Sequence, residues 1–414
     1  MIENTAIDKD KLDKLAQLAV YTGVGLQKGQ NLLLTGPVES LPLVRLIAKH
    51  AYKAGAGLVT PLFSDADVTL SRYKYAEDHS FDVAADWLYK GMGDAFDNNT
   101  ARMAIAGDDP MLLSEMDPEK VARANKANSI AYKPARERIT QFDINWNILS
   151  WPGLSWAKRM FPDMEPLEAQ TRLSEAIFLA SRVVEDDPVQ AWKEHNSALR
   201  EKTDWLNARN FKDLHFTGPG TDLKVGLADD HEWMGGASQA QNGVICNPNI
   251  PSEEVFTTPH YLRVEGHVSS TKPLSHQGSF IDEIRVEFKE GAIVDAKASK
   301  GEKIFNKVLE SDDGARRLGE VALVPDSSPI SQSGLLFYNT LFDENAACHI
   351  ALGQCYSKCF KSKKNLSQEE IRSRGGNSSM IHIDWMIGSK EIDIDGVSFN
   401  GEIIPVFRKG EWCD

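Results

Sequence analysis

The stretch from residue 31 to residue 63, NLLLTGPVESLPLVRLIAKHAYKAGAGLVTPLF, decides the fold class of the first half of this chain. Residues 31–35 are a short apolar run, residues 41–54 have the apolar spacing of a helix, and residues 58–63 are a second apolar run. A strand, a helix and a strand in this order are typical of a parallel sheet, because parallel strands need a crossover connection. The sequence therefore predicts an α/β fold for this region.

The alternation of strands and helices continues beyond this stretch. Residues 101–106 and 145–149 are further apolar runs, separated by the helical stretch 118–138. Residues 166–183 and 188–207 each open with proline and have helical spacing. Proline at the first helical position is a common start signal, so these two segments predict a pair of helices between the halves of the chain.

From Phe211 onward, short apolar runs separated by turn residues replace the alternation. Examples are residues 214–218, 223–227 and 284–288. Strands joined by short turns pair in antiparallel fashion. We therefore predict an α/β N-terminal domain with a mostly parallel sheet at 1–210, ending in the helical pair. We predict an α+β C-terminal catalytic domain rich in antiparallel strands at 211–414.

The overall composition excludes several classes of function. The chain has 414 residues and a formal net charge of −14, which argues against nucleic acid or an anionic membrane as a partner. No apolar run approaches the length of a membrane span, and the N-terminus lacks the features of a signal peptide. Five cysteines without a CxxC pair argue against a disulfide framework or a cysteine zinc site. The sequence predicts a cytoplasmic protein.

The strongest chemical signal is the pair His382 and Asp384. These residues lie two apart in 380–387, a stretch rich in Ile, Met and Trp that is typical of a strand. Side chains two apart on a strand point to the same face, so the imidazole and the carboxylate converge on one point. A mixed nitrogen and oxygen pair of this kind suits zinc, cobalt or manganese.

Three further segments carry residues of the same type: 247–259 with Glu253 and Glu254, 318–324 with Glu320, and 340–353 with Glu344 and His349. The last segment fits either a helix or a turn followed by a strand. Taken singly, each residue has an ordinary alternative role, as an exposed acid or as a core histidine bonded to the backbone. Their joint occurrence in one β-rich half of the chain favours a metal site.

Together these residues have the composition of a site for two metal ions. The ligand candidates are Glu254, Glu320, Glu344, His349, His382 and Asp384. Glu253 is a candidate general base, and Tyr356 is a candidate oxyanion donor or additional ligand. Two divalent ions (zinc, cobalt, manganese or magnesium) can polarise a carbonyl group and activate a bridging water. The sequence therefore predicts a metal-dependent hydrolase.

At these residues the chain resembles the thermophilic metalloprotease family of aminopeptidases, the group that contains aminopeptidases T and S. The matching segments are 251–259, 319–324, 343–353 and 377–388. Their order, their spacing and the overall length agree, so the resemblance covers essentially the whole chain. One departure is Trp385, where a smaller aromatic residue is usual, and this departure bears on the packing of its strand.

The resemblance implies a homodimeric enzyme that uses two divalent metal ions to release N-terminal residues from peptides with a free N-terminus. It implies metal ligands at Glu254, Glu320, His349, His382 and Asp384, with Tyr356 also in the site and Glu344 as a further ligand. The role of Glu253 as the base is our own inference from its position next to a ligand.

Two other functions are compatible with a metal site. One is a metallohydrolase of another class, such as a phosphoesterase or an amide hydrolase. No arginine lies within the ligand segments, although phosphoryl substrates usually require one. The other is a non-catalytic binding protein on the same fold, which would have no need for carboxylates that are costly to bury.

Overall fold

The computed structural model describes residues 7–276, 279–362 and 366–413 of the chain. The chain divides into two compact units. The first comprises the chain up to Glu194 together with Ala237–Pro251, and the second comprises His195–Gly236 together with the chain from Ser252 onward. The change of unit thus lies within the helix Pro188–Arg209. The domain boundary predicted from the sequence, between residues 210 and 211, lies at the end of this helix. That the two predicted domains fold independently stays a prediction.

The helices of the described residues are α1 (Lys9–Leu18), α2 (Leu41–Lys53), α3 (Ala66–Tyr75), α4 (Asp86–Asp97), α5 (Pro118–Thr140), α6 (Leu154–Met160), α7 (Pro166–Ala180), α8 (Pro188–Arg209), α9 (Glu302–Leu309), α10 (Pro329–Ser333), α11 (Thr340–Asp343) and α12 (Gln368–Ser373). The strands are β1 (Leu32–Pro37), β2 (Val59–Ser64), β3 (Ala101–Ala106), β4 (Trp146–Ser150), β5 (Asp213–Gly218), β6 (Thr221–Leu227), β7 (Met234–Gly235), β8 (Ser238–Gln239), β9 (Ile245–Cys246), β10 (Val255–Thr257), β11 (Pro259–Ser269), β12 (Leu274–His276), β13 (Ser279–Ile281), β14 (Arg285–Lys289), β15 (Ala292–Lys297), β16 (Leu318–Leu323), β17 (His349–Gly353), β18 (His382–Met386), β19 (Asp393–Val397), β20 (Ile403–Arg408) and β21 (Glu411–Trp412).

The first unit is built around a four-stranded parallel sheet in the order β2-β1-β3-β4. The central strand β1 is the predicted apolar run, and its leucines are buried on both faces of the sheet. Leu32 and Leu34 belong to a core cluster that includes Leu15 of α1 and Ile47 of α2. Leu33 points to the other face and belongs to a second cluster, with Phe96 of α4. Burial on both faces explains why the strand is continuously apolar.

The described part of the second unit contains two large antiparallel sheets and the two-stranded antiparallel pair β12-β13. One has eight strands in the order β15-β14-β11-β6-β5-β19-β20-β21, and the other has five in the order β18-β17-β16-β10-β7. Side chains of both sheets, such as Phe216 of β5 and Val321 of β16, share one core cluster, so the sheets pack face to face. Parallel strands in the first unit and antiparallel strands in the second confirm the predicted fold class.

None of the helices in the described part of the chain combines the length and the apolar character that a membrane crossing requires. The longest helix, α5, has 23 residues but carries charged side chains along its length, among them Arg123 and Arg138.

Candidate metal centre

Four of the ligand candidates, Glu320, His349, His382 and Asp384, lie on one face of the five-stranded sheet. Glu320 on β16 is opposite Ala351 on β17, and Ala351 is in turn opposite Asp384 on β18. His349 is two residues from Ala351, and His382 is two residues from Asp384. Since side chains two apart on a strand, and side chains directly opposite across strands, share a face, all of these residues point to the same side of the sheet.

The opposite face of the same strands is apolar. Val321, Ile350 and Trp385 are fully buried in the core of the second unit. The indole of Trp385 stands edge-on to the ring of Phe305, with 6.5 Å between the centroids. The departure of Trp385 from the usual smaller aromatic residue therefore affects the core and not the face that carries the ligand candidates.

Two glycines shape the ends of the strands that carry Glu320 and His349. Gly319 lies at a register shift in β16, and a β-carbon there would lie 2.4 Å from the carbonyl oxygens of Gly353 and Gln354. Gly353 has a φ of +102° at the end of β17, a left-handed conformation that favours glycine. The chain thus turns sharply after β17, and the turn brings the carbonyl of Gln354 to the ring of His382.

A first group of three side chains converges at Glu254, Glu320 and His349. The Nε2 atom of His349 lies 3.1 Å from Oε2 of Glu254 and 3.5 Å from Oε1 of Glu320. One ligand atom from each residue lies within 4.8 Å of the others. All three residues are buried, with at most 7% of their surface exposed. Buried carboxylates around an imidazole are expected to be paired or to bind a metal.

A second group converges at Glu320, His382 and Asp384. The Nε2 atom of His382 lies 3.4 Å from Oδ1 of Asp384 and 3.8 Å from Oε2 of Glu320. These ligand atoms also lie within 4.8 Å of one another. The convergence of His382 and Asp384, predicted from their spacing on a strand, is thus observed. Glu320 belongs to both groups, with one carboxylate oxygen toward each histidine.

The backbone orients both histidines toward the carboxylates. His382 donates a hydrogen bond from Nδ1 to the carbonyl of Gln354 at 2.7 Å, and His349 donates one from Nδ1 to the carbonyl of Ala347 at 3.2 Å. A carbonyl only accepts, so the proton of a neutral ring lies on Nδ1 and the lone pair on Nε2. A backbone partner of this kind is typical of a metal-binding histidine, because it fixes the ring and its tautomer.

Several atoms of the cluster are left without ordinary hydrogen bonds. Among the described residues, Oε2 of Glu254, Nε2 of His349 and Oδ1 of Asp384 are buried and have no hydrogen-bond partner of acceptable geometry. Oε2 of Glu254 and Nε2 of His349 are only 3.1 Å apart, but their geometry is not that of a hydrogen bond. Buried polar atoms left without partners are rare in proteins. Such atoms facing a common point fit a divalent metal ion as the missing partner.

Burial and mutual charge shift the pKa values of the cluster. Burial, reinforced by the charges of Asp384 and Glu254, raises the pKa of Glu320 to about 7. Burial disfavours a charged imidazole at His382, but the carboxylate of Asp384 outweighs it and raises the pKa of His382 to about 9. At His349 the carboxylates of Glu254 and Glu320 likewise outweigh burial and raise the pKa well above its usual value. The cluster is thus an environment that favours added positive charge.

Comparison with known proteins identifies the family. The sequence matches the model of the thermophilic metalloprotease (M29) family over residues 8–412. The chain belongs to the thermophilic metalloprotease (M29) family. It is 49% identical to aminopeptidase T of Thermus thermophilus over 404 residues, 98% of each chain. It is 44% identical to aminopeptidase 2 of Geobacillus stearothermophilus, over 97% of this chain and 98% of that one.

A solved structure of a similar protein has the same fold as this chain. Wild-type AmpT from Thermus thermophilus matches the chain with a TM-score of 0.93 and 48% sequence identity, covering 98% of this chain and 99% of that one. The predicted family and fold class are therefore confirmed. Family membership makes the chain a metalloprotease, which confirms the prediction of a metal-dependent enzyme that hydrolyses peptide bonds.

Two of the predicted M29 site residues lie beside the groups and not within them. Glu344 is partly buried in a single 3-10 turn, Glu344–Ala346, and within the described residues it belongs to neither group of three. Burial and the charges of Glu254 and Asp384 raise the pKa of Glu344 well above its usual value, which places it near the cluster. Its role as a ligand stays a prediction.

Tyr356 lies next to the second group. Its ring centroid is 4.8 Å from that of His382. Desolvation and then the charges of Glu320 and Asp384 raise the pKa of Tyr356 well above its usual value. The residue as a whole is 43% exposed. The segment 340–353 forms α11, a 3-10 turn and then β17, so His349 and Tyr356 are not aligned along a helix.

The candidate base Glu253 is held by two residues that sequence reasoning missed. It is buried, with 5% of its surface exposed, and its backbone N–H donates to Oδ1 of Asn345 at 2.7 Å. His195 of α8 donates from Nε2 to the carbonyl of Ser252 at 2.8 Å, and the same nitrogen lies 3.8 Å from Oε2 of Glu253. His195 lies within a helix, 58 positions before Glu253, so no local sequence pattern indicates that the two residues come together. Asn345 directly follows the ligand candidate Glu344, and this position in the sequence does point to the site.

Proposed function

We propose that this M29 metalloprotease is an aminopeptidase that holds two divalent metal ions at the cluster and releases the N-terminal residue of peptides. The aminopeptidase class agrees with both relatives described above, each of which is an aminopeptidase aligned over nearly its full length. A phosphoesterase, an amide hydrolase of another class or a non-catalytic binding protein, the alternatives left open by the sequence, have no support from these relatives.

The observation that carries the use of two ions is the position of Glu320. Its Oε1 faces His349 in the group with Glu254, and its Oε2 faces His382 in the group with Asp384. A carboxylate with one oxygen toward each of two donor groups is the arrangement of a bridging ligand. If two ions are bound, Glu320 would help to hold both of them, and together they would polarise a carbonyl group and activate a water molecule.

The donor atoms favour particular metals. Each group offers two carboxylates and one imidazole nitrogen. Imidazole together with carboxylate suits zinc, cobalt and manganese, whereas magnesium prefers oxygen ligands alone. We therefore propose zinc, cobalt or manganese as the resident ions and place magnesium, which the sequence analysis also allowed, behind them.

The residues of the chain have separate tasks in the proposed reaction. When bound, divalent ions polarise the peptide carbonyl and lower the pKa of a water molecule. Glu253 accepts the proton of the attacking water and returns it to the leaving amine, as a general base and acid. Asn345 holds the backbone of Glu253 in place. Tyr356, beside His382, donates a hydrogen bond from its hydroxyl to the oxygen that gains negative charge.

The site also fits a substrate with a free N-terminus. The three carboxylates of Glu254, Glu320 and Asp384 offset most of the charge of two divalent ions. A free α-amino group in its neutral form could donate its lone pair to such an ion, whereas the nitrogen of an internal peptide bond could not. We extend the proposal to a homodimer in the cytoplasm, as the sequence analysis predicted.

The proposed function is tested by metal analysis together with a peptide digest. We expect about two equivalents of zinc, cobalt or manganese per chain, and stepwise release of N-terminal residues from unblocked peptides. The same peptides with acetylated N-termini should remain intact. A chelator should abolish hydrolysis, and each of the three metals is expected to restore it. Cleavage of acetylated peptides at internal bonds would contradict the aminopeptidase assignment, and undiminished activity in chelator would contradict the metal site.

A further inference from the structure

An aromatic side chain lies beside the first group of ligand candidates and has no part in the chemistry described so far. Phe256 on β10 is directly opposite Ala322 on β16, and Ala322 is in turn opposite His349 on β17. Directly opposed residues share a face, so Phe256 points to the same side of the sheet as the ligand candidates. Glu254 directly precedes β10, and its carboxylate reaches the same side, where Oε2 lies 3.1 Å from Nε2 of His349.

The exposure of β10 distinguishes Phe256 from its neighbours. Val255 and Thr257 point to the opposite side and are fully buried. Phe256 is only partly buried, although it is the largest side chain of the strand. A phenyl ring left partly open beside several buried carboxylates is not explained by the core, which lies on the other face of the sheet. It is available to contact a bound molecule.

Two further side chains extend the apolar surface around Phe256. Met234 on β7 is directly opposite Phe256, and it is also partly buried. The ring of Tyr356 meets that of Phe256 edge-on, with 5.9 Å between the centroids. Met234, Phe256 and Tyr356 thus form an apolar wall at one side of the metal-binding face, and we call this group the Phe256 wall.

We propose that the Phe256 wall receives the side chain of the substrate's N-terminal residue and makes large apolar residues the preferred ones. This inference rests on the proposed function, because the N-terminal residue must lie at the cluster for its side chain to reach the wall. Phe256 shares the sheet face with His349, which the carboxylate of Glu254 contacts, so an amine bound at the cluster would have its side chain on the side of the phenyl ring. Flexible methionine beside two aromatic rings accommodates several apolar shapes.

A purely structural role for Phe256 predicts a different result. Phe256 would then act only by bracing Tyr356, and its loss would slow the hydrolysis of every substrate by the same factor. A residue that contacts the N-terminal side chain instead changes the ratio between substrates, because small side chains never reach it. The ratio of kcat/KM values for two substrates therefore separates the two roles.

The test uses the metal-loaded full-length enzyme and the p-nitroanilides of leucine, phenylalanine and alanine. In Phe256→Ala, we expect kcat/KM for the leucine and phenylalanine substrates to fall about 10- to 100-fold relative to the alanine substrate. Phe256→Leu, which keeps most of the apolar volume, should retain most of the preference. Phe399→Ala, an exposed phenylalanine of the same unit, is the matched control and should leave all ratios unchanged.

A binding measurement accompanies the kinetics. L-phenylalaninol and L-alaninol carry the amine and the side chain but no scissile bond. By calorimetry, Phe256→Ala should weaken the binding of L-phenylalaninol about 10-fold and leave that of L-alaninol nearly unchanged. Met234→Ala should act in the same direction, and it provides the test should Phe256→Ala fail to fold.

The outcomes separate this inference from the proposed function. An equal loss for all three substrates, or unchanged ratios in Phe256→Ala and Met234→Ala, would overturn the role of the wall while leaving the aminopeptidase intact. If the wild-type enzyme releases no N-terminal residue from any peptide, the proposed function itself fails, and the inference fails with it.

Discussion

The shared carboxylate of Glu320 leads to a prediction about how many metal ions each variant can hold. Glu254→Gln removes a ligand from the first group only, and Asp384→Asn removes one from the second group only. Glu320→Gln removes a ligand from both groups at once. All three changes replace a carboxylate by an amide of nearly the same shape. Differences between the variants therefore report the position of each residue in the site. We expect the first two variants to keep one ion, and Glu320→Gln to keep neither.

The size of the effect on stability follows from mass action. At a free metal concentration 100 times its dissociation constant, each ion stabilises the folded protein by about 2.7 kcal/mol. Loss of one of three ligands that weakens binding about 100-fold reduces this contribution to about 0.4 kcal/mol. For units of this size, 1 kcal/mol corresponds to a change of about 2–4 °C in Tm, so each ion raises Tm by roughly 5–10 °C.

The assay combines elemental analysis with thermal unfolding in chelator and in buffered metal. The rise in Tm on adding metal should be largest for the wild type, about half as large for Glu254→Gln and Asp384→Asn, and close to zero for Glu320→Gln. Ser331→Ala, which lies on the short helix α10 outside both groups, serves as the control and should show the full rise. One tightly bound ion in Glu320→Gln, or the loss of both ions in Asp384→Asn, would refute the bridging role of Glu320.

Two further predictions concern the base and the dependence of stability on pH. Glu253→Gln should lower kcat about 100-fold or more while the metal content stays at the wild-type value, because the base is not a ligand. Normal turnover in this variant would assign proton transfer to another group. Burial lowers the pKa of His231 from 6.5 to about 4. Between pH 6.5 and pH 4, the unfolded chain binds a proton at His231 but the folded protein does not. The free energy of unfolding therefore falls as the pH is lowered through this range. Between pH 7 and pH 5, chelator-treated wild type should lose about 2 kcal/mol more unfolding free energy than His231→Gln, measured in urea.

Much of the fold follows from local sequence patterns, because hydrophobic periodicity reports how a strand or helix is buried. Residues 101–106 were predicted as a strand, and β3 has these same bounds. The apolar run around Leu33 predicted a parallel strand, and both of its faces are covered. The segment 340–353 was ambiguous because it contains both elements in succession, α11 and then β17. Residues 237–251 gave no sign that they return to the first unit, since that depends on contacts far along the chain.

The site was predictable to the extent that one strand carries several of its residues. His382 and Asp384 lie two apart, so their convergence follows from strand geometry alone. The pairing of Glu320 with Ala351 and of Ala351 with Asp384 depends on strand register, and no local pattern determines it. The resemblance to a family supplied that information instead. His195 remained unseen because its contact with the 252–253 segment comes from a distant helix.

The residues between the ligand candidates leave the room that metal ions on this face of the sheet would need. Ala351 lies between Glu320 and Asp384 across the strands, and Ala322 lies between Phe256 and His349. Both alanines are fully buried, and neighbouring strands are only about 4.8 Å apart. A larger side chain at either position would occupy the space toward which the carboxylates and imidazoles point. The small residues are therefore as necessary as the ligand candidates, although nothing in their chemistry marks them in the sequence.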